Sequence, residues 1–510
     1  MASRGVSPKL LQSLRGFLRP CSSSPPSLAA LPPLNLVEKP PIHTGAVGPS
    51  VSDSVLDLDD AERLFGSFST AKLLRSSANL QMASIDPLVD VGMWVMNSRL
   101  MEMPLIGDVV VGALRHTFFE HFCAGVNHKE MSVAVRRLWE TGMRGMLVYG
   151  VEDVYDNESC ERNFERFLET IESTESLPPS SASFVIVKIT AICPMPLLER
   201  VSDLLRWEHK DPSFHLPWKL NTLPIFSQSS PLYHTSRKPD PLTAEEEKNL
   251  QLAHQRLLKL CQRCQELNVP LAIDAEYTSV QPAIDYFTYS SAIVYNKDDT
   301  VVFGTIQAYL KDAKERMLLA VEGADKMGVS MGFKLVRGAY MSSESKVASS
   351  LGCQSPIHNC IQDTHDCYNE CASFMLEKIS SGRGAVVLAT HNVESGKVAA
   401  AKARDMGIGK ENHKLQFAQL YGMSEALSYG LKNAGFAVSK YMPFGPIDMV
   451  MPYLLRRAEE NRGVLSTSTI DRTLMRKELK RRAKVLFSAG DWRSGNIQAT
   501  AKLDDHSAFN

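Results

Sequence analysis

The chain has 510 residues, 44% of them hydrophobic, enough for a large domain with a substantial core and further extensions. A formal charge of −1 argues against a nucleic-acid surface spread over the whole molecule, and no uninterrupted apolar run is long enough to cross a bilayer. Ten cysteines in a chain this long lack the dense spacing of a secreted disulfide scaffold.

The first 37 residues contain no Asp or Glu, but carry Arg4, Lys9, Arg15 and Arg19 among frequent serines. Leu10, Leu11, Leu14, Phe17 and Leu18 form an apolar stripe at helical spacing. This is the pattern of an organellar transit peptide, with a mitochondrial address favoured by a helical stripe that begins close to Met1, and it lacks the long apolar centre of a secretory signal; the alternative is a disordered basic tail. With the Pro-rich stretch that follows, residues 1–45 read as leader and linker. Residues 46–140 read as a helical arm, with apolar residues at helical intervals in 61–65, 73–96 and 117–122.

From residue 141 to 465 the texture changes to eight short apolar runs: 145–149, 184–189, 271–275, 301–307, 332–336, 385–390, 414–420 and 436–441. Helical patterns separate most of them. Such alternation implies parallel strands buried on both faces, and eight units predict an α/β fold of the (β/α)8 TIM-barrel type. An open doubly wound sheet is the structural rival. Residues 203–245 and 341–358 read as insertions on the rim. Residues 466–510 form a basic tail, with Arg472, Arg476, Lys477, Lys480, Arg481, Arg482 and Lys484 beside Leu474, Leu479 and Leu486. That face suits solvent or an anionic membrane surface.

In such a barrel the chemistry sits at the C-terminal ends of strands. Polar residues fall there in most runs: Lys188, Asp274-Ala275-Glu276, Gln307, Lys334 continuing to Arg337-Gly338-Ala339-Tyr340, Thr390-His391-Asn392, and Tyr441. No G-x-G-x-x-G opens a helix, so a dinucleotide fold of that kind is not supported. Cys360, His365, Cys367 and Cys371 show no recognisable ligand spacing, and no metal site is expected.

The last barrel segment is a helix pattern. Met451, Leu454, Leu455 and Ala458 make one apolar face, and Gly463 is placed to cap its end. Tyr453, Arg456, Arg457 and Glu460 repeat the spacing two residues out of phase, about 200° around the helix. Spacing alone leaves open a solvated face or a paired-guanidinium grip on a carboxylate or phosphate.

The wording of this segment resembles the proline dehydrogenase family: Tyr-Leu-Leu-Arg-Arg-Ala-Glu-Glu-Asn at 453–461, preceded by Lys-Tyr-Met-Pro-Phe-Gly at 440–445. Leu-Ala-Ile-Asp-Ala-Glu at 271–276, Lys-Leu-Val-Arg-Gly-Ala-Tyr at 334–340 and Ala-Thr-His-Asn at 389–392 are similar to that family's motifs for strands three, five and six. The resemblance covers roughly residues 140–465. It implies a distorted barrel whose last helix lies over the mouth, non-covalent FAD, and oxidation of L-proline to Δ1-pyrroline-5-carboxylate. Electrons would pass to a quinone, with peripheral contact at the mitochondrial inner membrane.

Residue by residue, the resemblance puts the substrate carboxylate on Arg456 and Arg457. Lys188, Asp274, Tyr340, Leu420, Tyr441 and Tyr453 would line the pocket. Gln307, Lys334, Val336, Gly338, Thr390, His391 and Glu460 would contact FAD. Lys334 or Arg337 would donate near flavin N1 or N5, and Glu152 or Asp153 would be the acidic gate. Lys334 stands where bacterial members often have arginine. Hydroxyproline-oxidising relatives tend to carry serine at the Tyr441 position, so proline is favoured. The rivals are hydroxyproline dehydrogenase, a barrel lyase with Lys188 as Schiff-base nucleophile, and a non-enzymatic membrane-surface scaffold.

Overall fold

A computed structural model describes residues 55–85, 103–409, 412–451, 453–454 and 469–485, with isolated positions between 87 and 98. The leader reading, Arg456, Arg457, Glu460 and Gly463 lie outside the described residues.

Eight parallel strands close into a barrel in sequence order. They are β1 (Arg144–Tyr149), β2 (Ala182–Val187), β3 (Leu271–Ile273), β4 (Val302–Gln307), β5 (Gly332–Val336), β6 (Ala385–Ala389), β7 (Leu415–Leu420) and β8 (Val438–Phe444). Every expected run supplies one strand, and the open doubly wound sheet is excluded by the closing pair of β1 with β8. Two bounds differ in ways that matter. β3 has only three residues, so Asp274 begins the loop after it. β8 continues to Phe444, so Tyr441 sits within the strand, paired with Met146 on one side and Leu420 on the other.

Side chains alternate across each strand. The inward set, with Met146, Val148, Phe184, Ile186, Ala272, Phe303, Val387 and Ala418, fills the barrel as its own apolar cluster. Phe184 and Phe303 meet edge to face at 4.8 Å between centroids and plug it. The outward set packs beneath the helices in the main core. The barrel is therefore a solid platform, and the chemistry is confined to its end.

Of the expected insertions, the first begins inside a helix, Met195–Lys210, and residues 211–243 then form no helix or strand. This loop is tied down: Ser230 donates to Asp312 at 2.8 Å, and the Leu220 N–H donates to the Tyr286 hydroxyl at 2.8 Å. In the second, Met341–Ser350 is a helix.

The basic face of the tail meets the helical arm. Arg472 and Arg476 donate to Gln81 at 3.2 and 2.7 Å, and Arg482 donates to the carbonyls of Phe65 and Phe68 at 3.0 and 2.7 Å. Lys477 reaches the Asp59 carbonyl, and Arg481 pairs with Glu62 at 3.1 Å. Five cations read as a solvated or membrane-docking face thus hold helices Ala61–Phe65 and Thr70–Met82 and their flanks. Composition revealed the charge but not the partner that takes it up.

Candidate active site

A cavity of about 960 Å³ opens at the C-terminal end of the barrel. It is lined by Lys188, Asp274, Gln307, Lys334, Val336, Gly338, Tyr340, Thr390, His391, Leu420, Tyr441 and Tyr453, all the described residues among those assigned to the substrate pocket or to FAD. Their sequence separation exceeds 260 positions. They converge because each lies at or near the end of a strand in one closed sheet.

The centre of the site is a triad of the buried Asp274 and Lys334 with the half-buried Tyr441. Lys334 forms an ion pair with Asp274, and the Tyr441 hydroxyl donates to the second carboxylate oxygen at 2.8 Å. The Lys334 ammonium also stands 5.3 Å from the centre of the Tyr441 ring. Burial, followed by the Asp274 charge, holds the Tyr441 hydroxyl well above its ordinary pKa, so it stays a donor. Tyr441 lies 6.4 Å from Tyr453 with rings 28° apart, and Tyr340 packs at 4.3 Å on Tyr277. These rings give the cavity an apolar wall around a charged floor.

A second ion pair joins Lys188 to Glu152, both largely buried. Of the two acidic gate candidates, Glu152 lines the cavity; Asp153 does not, and its backbone is left-handed at φ 55°. A carboxylate paired to Lys188 favours its ammonium form, the opposite of what a Schiff-base nucleophile requires.

Arg337 acts as a brace. Its Nη1 donates to Thr390 Oγ1 at 2.7 Å, its Nη2 to Ser395 Oγ at 2.8 Å and its Nε to His365 Nδ1 at 3.0 Å, with Tyr368 stacked 4.4 Å away. Each of its three nitrogens thus has a partner within the protein, as the Lys334 ammonium has in Asp274. Thr390 also accepts from Asn392 N at 3.0 Å, which fixes the turn carrying His391. His391 Nε2 accepts from Leu420 N at 3.0 Å, so a neutral ring carries its proton on Nδ1. Gly338 has φ +137°, and a Cβ there would lie 2.4 Å from the Tyr309 ring.

Two features escaped the sequence reading. Glu276 is fully buried, with both carboxylate oxygens 2.9–3.0 Å from Thr190 Oγ1, its N–H on Gln281 and its carbonyl accepting from Gln307. Burial pushes its carboxyl up to about 8. The run Asp274-Ala275-Glu276 was the available signal, but nothing in it said which acid faces the cavity. The second feature is a wall built from Leu58 and Asp59 of the arm with Thr469, Ile470, Thr473 and Leu474 of the tail, which no local pattern could place.

The proline dehydrogenase family model matches residues 131–469. Proline dehydrogenase 1, mitochondrial, of Arabidopsis thaliana is 58% identical over 448 residues, 87% of this chain and 90% of that protein. Hydroxyproline dehydrogenase of Bos taurus is 30% identical over 431 residues, covering 81% and 91%. Among solved structures, proline utilization A of Bdellovibrio bacteriovorus, inactivated by N-propargylglycine, superposes with a TM-score of 0.58 at 19% identity. That match covers 80% of this chain but only 42% of the bacterial one, so this chain spans less than half its length and the likeness speaks for the barrel alone. With the barrel, the converging strand ends and a match over most of its length, the chain belongs to the proline dehydrogenase family.

Proposed function

We propose that this chain is a mitochondrial proline dehydrogenase that oxidises L-proline to Δ1-pyrroline-5-carboxylate, holds FAD, and passes electrons to a membrane quinone at the inner membrane. The observation that carries the reading is the Asp274–Lys334–Tyr441 triad, set at the mouth of the barrel and walled by tyrosines. The basic, Ser-rich leader and relatives named mitochondrial support the address.

The residues present fit a flavin nucleotide. Val336 and Ala389 offer an apolar seat for a fused ring, and Gln307, Lys334 and His391 offer donors to its polar edge. Thr390, Lys397 and the first turn of helix Val393–Asp405 suit phosphate oxygens. Glu460 would be a further FAD contact, away from the phosphates that its carboxylate would repel. Bound FAD supplies the two-electron acceptor.

The protein's own work is to orient, neutralise and keep water out. Arg456 and Arg457 would clasp the substrate carboxylate in a planar, multi-donor grip. Tyr340, Tyr441 and Tyr453 would press on the ring and convert encounter into a reactive geometry. The low-polarity wall favours the neutral amine, the form that can be oxidised. Glu152, paired with Lys188 at the rim, is the gate candidate.

The hydroxyproline reading has a relative in its favour, but Tyr441 disfavours it. Its ring is held between Tyr453 and the Asp274–Lys334 pair, where it would crowd a ring hydroxyl. The test is the visible spectrum of the purified protein, watched for bleaching when L-proline is added without oxygen. A colourless protein unable to take up FAD would sink the proposal.

A further inference from the structure

The tail meets the barrel through one buried carboxylate. Asp471 is 2% exposed, and its two oxygens accept from the N–H groups of Glu425 and Ala426, both at 2.9 Å. These donors open the nine-residue helix Glu425–Asn433. The residue at that helix's own cap position, Ser424, stands at φ 50° and makes no side-chain cap bond. The cap is therefore supplied from 46 positions further along the chain.

The same cluster reaches the back of the site. Glu425 pairs with Lys440 at 3.3 Å, and the Lys440 ammonium, fully buried, donates to the Met423 carbonyl at 2.8 Å. Lys440 and Tyr441 are consecutive in β8, so they point to opposite faces: Tyr441 into the cavity, Lys440 into this cluster. On the other side Met423 follows Leu420, whose N–H orients His391. The helical segment 469–485 itself contributes Thr469, Ile470, Thr473 and Leu474 to the cavity wall. Asp471 touches none of the cavity, yet it ties together β8, the turn after β7 and that wall.

We infer that Asp471 is a positioning residue for substrate binding: by capping helix Glu425–Asn433 it fixes the turn 420–424 and seats segment 469–485 as one side of the cavity. The inference takes its substrate, L-proline, from the function proposed above. Its chemistry is local: a carboxylate bonding two helix N–H groups satisfies donors that burial would otherwise leave unpaired.

The test compares the full-length wild type with Asp471→Ala and Asp471→Asn. Asp471→Ala should raise KM for L-proline about tenfold, with kcat changed less than about twofold, and Asp471→Asn, which keeps one acceptor, should fall between. Amide exchange in Asp471→Ala should speed up across 420–426 as well as 469–485. Unchanged kinetic constants beside a lower Tm, or faster exchange confined to 469–485, would overturn the inference and leave Asp471 a stabilising contact only. If Asp471→Ala does not fold, Asp471→Asn carries the same comparison at smaller size. If the wild type fails to oxidise L-proline, the substrate reading falls by itself, and the exchange pattern over 420–426 still decides the role of Asp471.

Discussion

Tyr441 contributes a hydroxyl and a ring to the site, and two substitutions separate them. Tyr441→Phe deletes the 2.8 Å hydrogen bond to Asp274 and leaves the ring against Tyr453. A hydrogen bond to a charged group contributes about 1.5–3 kcal/mol, and the lower figure applies because Lys334 still pairs with Asp274. That predicts a loss of about tenfold in kcat/KM on L-proline. Tyr441→Ser also removes the stack on Tyr453 and the ring under the Lys334 ammonium, each about 0.5–1.5 kcal/mol, for a total loss of roughly a hundred- to a thousandfold. On hydroxyproline the serine variant gains room for the ring hydroxyl, so its loss should be smaller and the ratio of the two efficiencies should shift toward hydroxyproline. Steady-state kinetics on both substrates with an artificial electron acceptor measures this, and Tm controls for folding. Equal losses on both substrates would refute the assignment of Tyr441 to substrate discrimination, and a Tyr441→Phe variant with full activity would refute the role given to its hydroxyl.

Lys334→Met strands a buried carboxylate and should cost roughly 3–5 kcal/mol in denaturant unfolding, while adding Asp274→Asn should restore most of it. A double variant no more stable than Lys334→Met would mean that the pair is not coupled. Gly338→Ala forces a side chain into φ +137° and onto Tyr309, with an expected cost of at least about 2 kcal/mol and a clear fall in Tm; an unchanged Tm would show that the backbone relaxes. Burial raises the Glu276 carboxyl from 4.5 to about 8. Between these values the folded protein keeps a proton that the unfolded chain has lost, so this group's stabilisation is full at low pH and declines as pH rises through that window. Glu276→Gln, neutral throughout, should therefore show a smaller drop in Tm between about pH 5 and about pH 8 than the wild type. A drop as steep as the wild type's would assign the slope to another group.

Most of the barrel was legible because its strands are short, apolar and buried on both faces, a signature that does not depend on distant partners. Strand ends were less so. β8 runs through Pro443 to Phe444, since its hydrogen bonds are set by β1 and β7 and not by the local sequence. The twelve described candidate residues, singled out by motif and strand position together, line one cavity. What resisted reading depends on residues far apart in sequence: Asp471 capping Glu425, Arg482 on the carbonyls of Phe65 and Phe68, and Arg337 on Ser395. A basic stripe reads the same whether it meets water, lipid or another helix.

The charges around the cavity make one further demand. Lys188 faces Glu152, Lys334 faces Asp274 and Lys397 faces Glu394, so each ammonium already has a carboxylate. Arg337 has all three nitrogens engaged by Thr390, Ser395 and His365. The Lys188–Glu152 and Lys334–Asp274 pairs are largely buried, while Lys397–Glu394 is exposed. Buried pairs seldom stabilise a fold more than apolar packing would, and here they set the charge pattern of the mouth. Among the described residues, then, each of these cavity cations is already committed to a protein partner. Tyr453 lines the cavity, and the next cations in sequence are Arg456 and Arg457. Arg456→Lys keeps the charge and loses the planar fork, and should raise KM for L-proline about ten- to a hundredfold. Arg337→Lys should instead disturb the turn at Thr390, lowering affinity for FAD and leaving KM nearly unchanged. If KM responds to Arg337→Lys and not to Arg456→Lys, the carboxylate sits on the brace, and the paired-arginine grip is wrong.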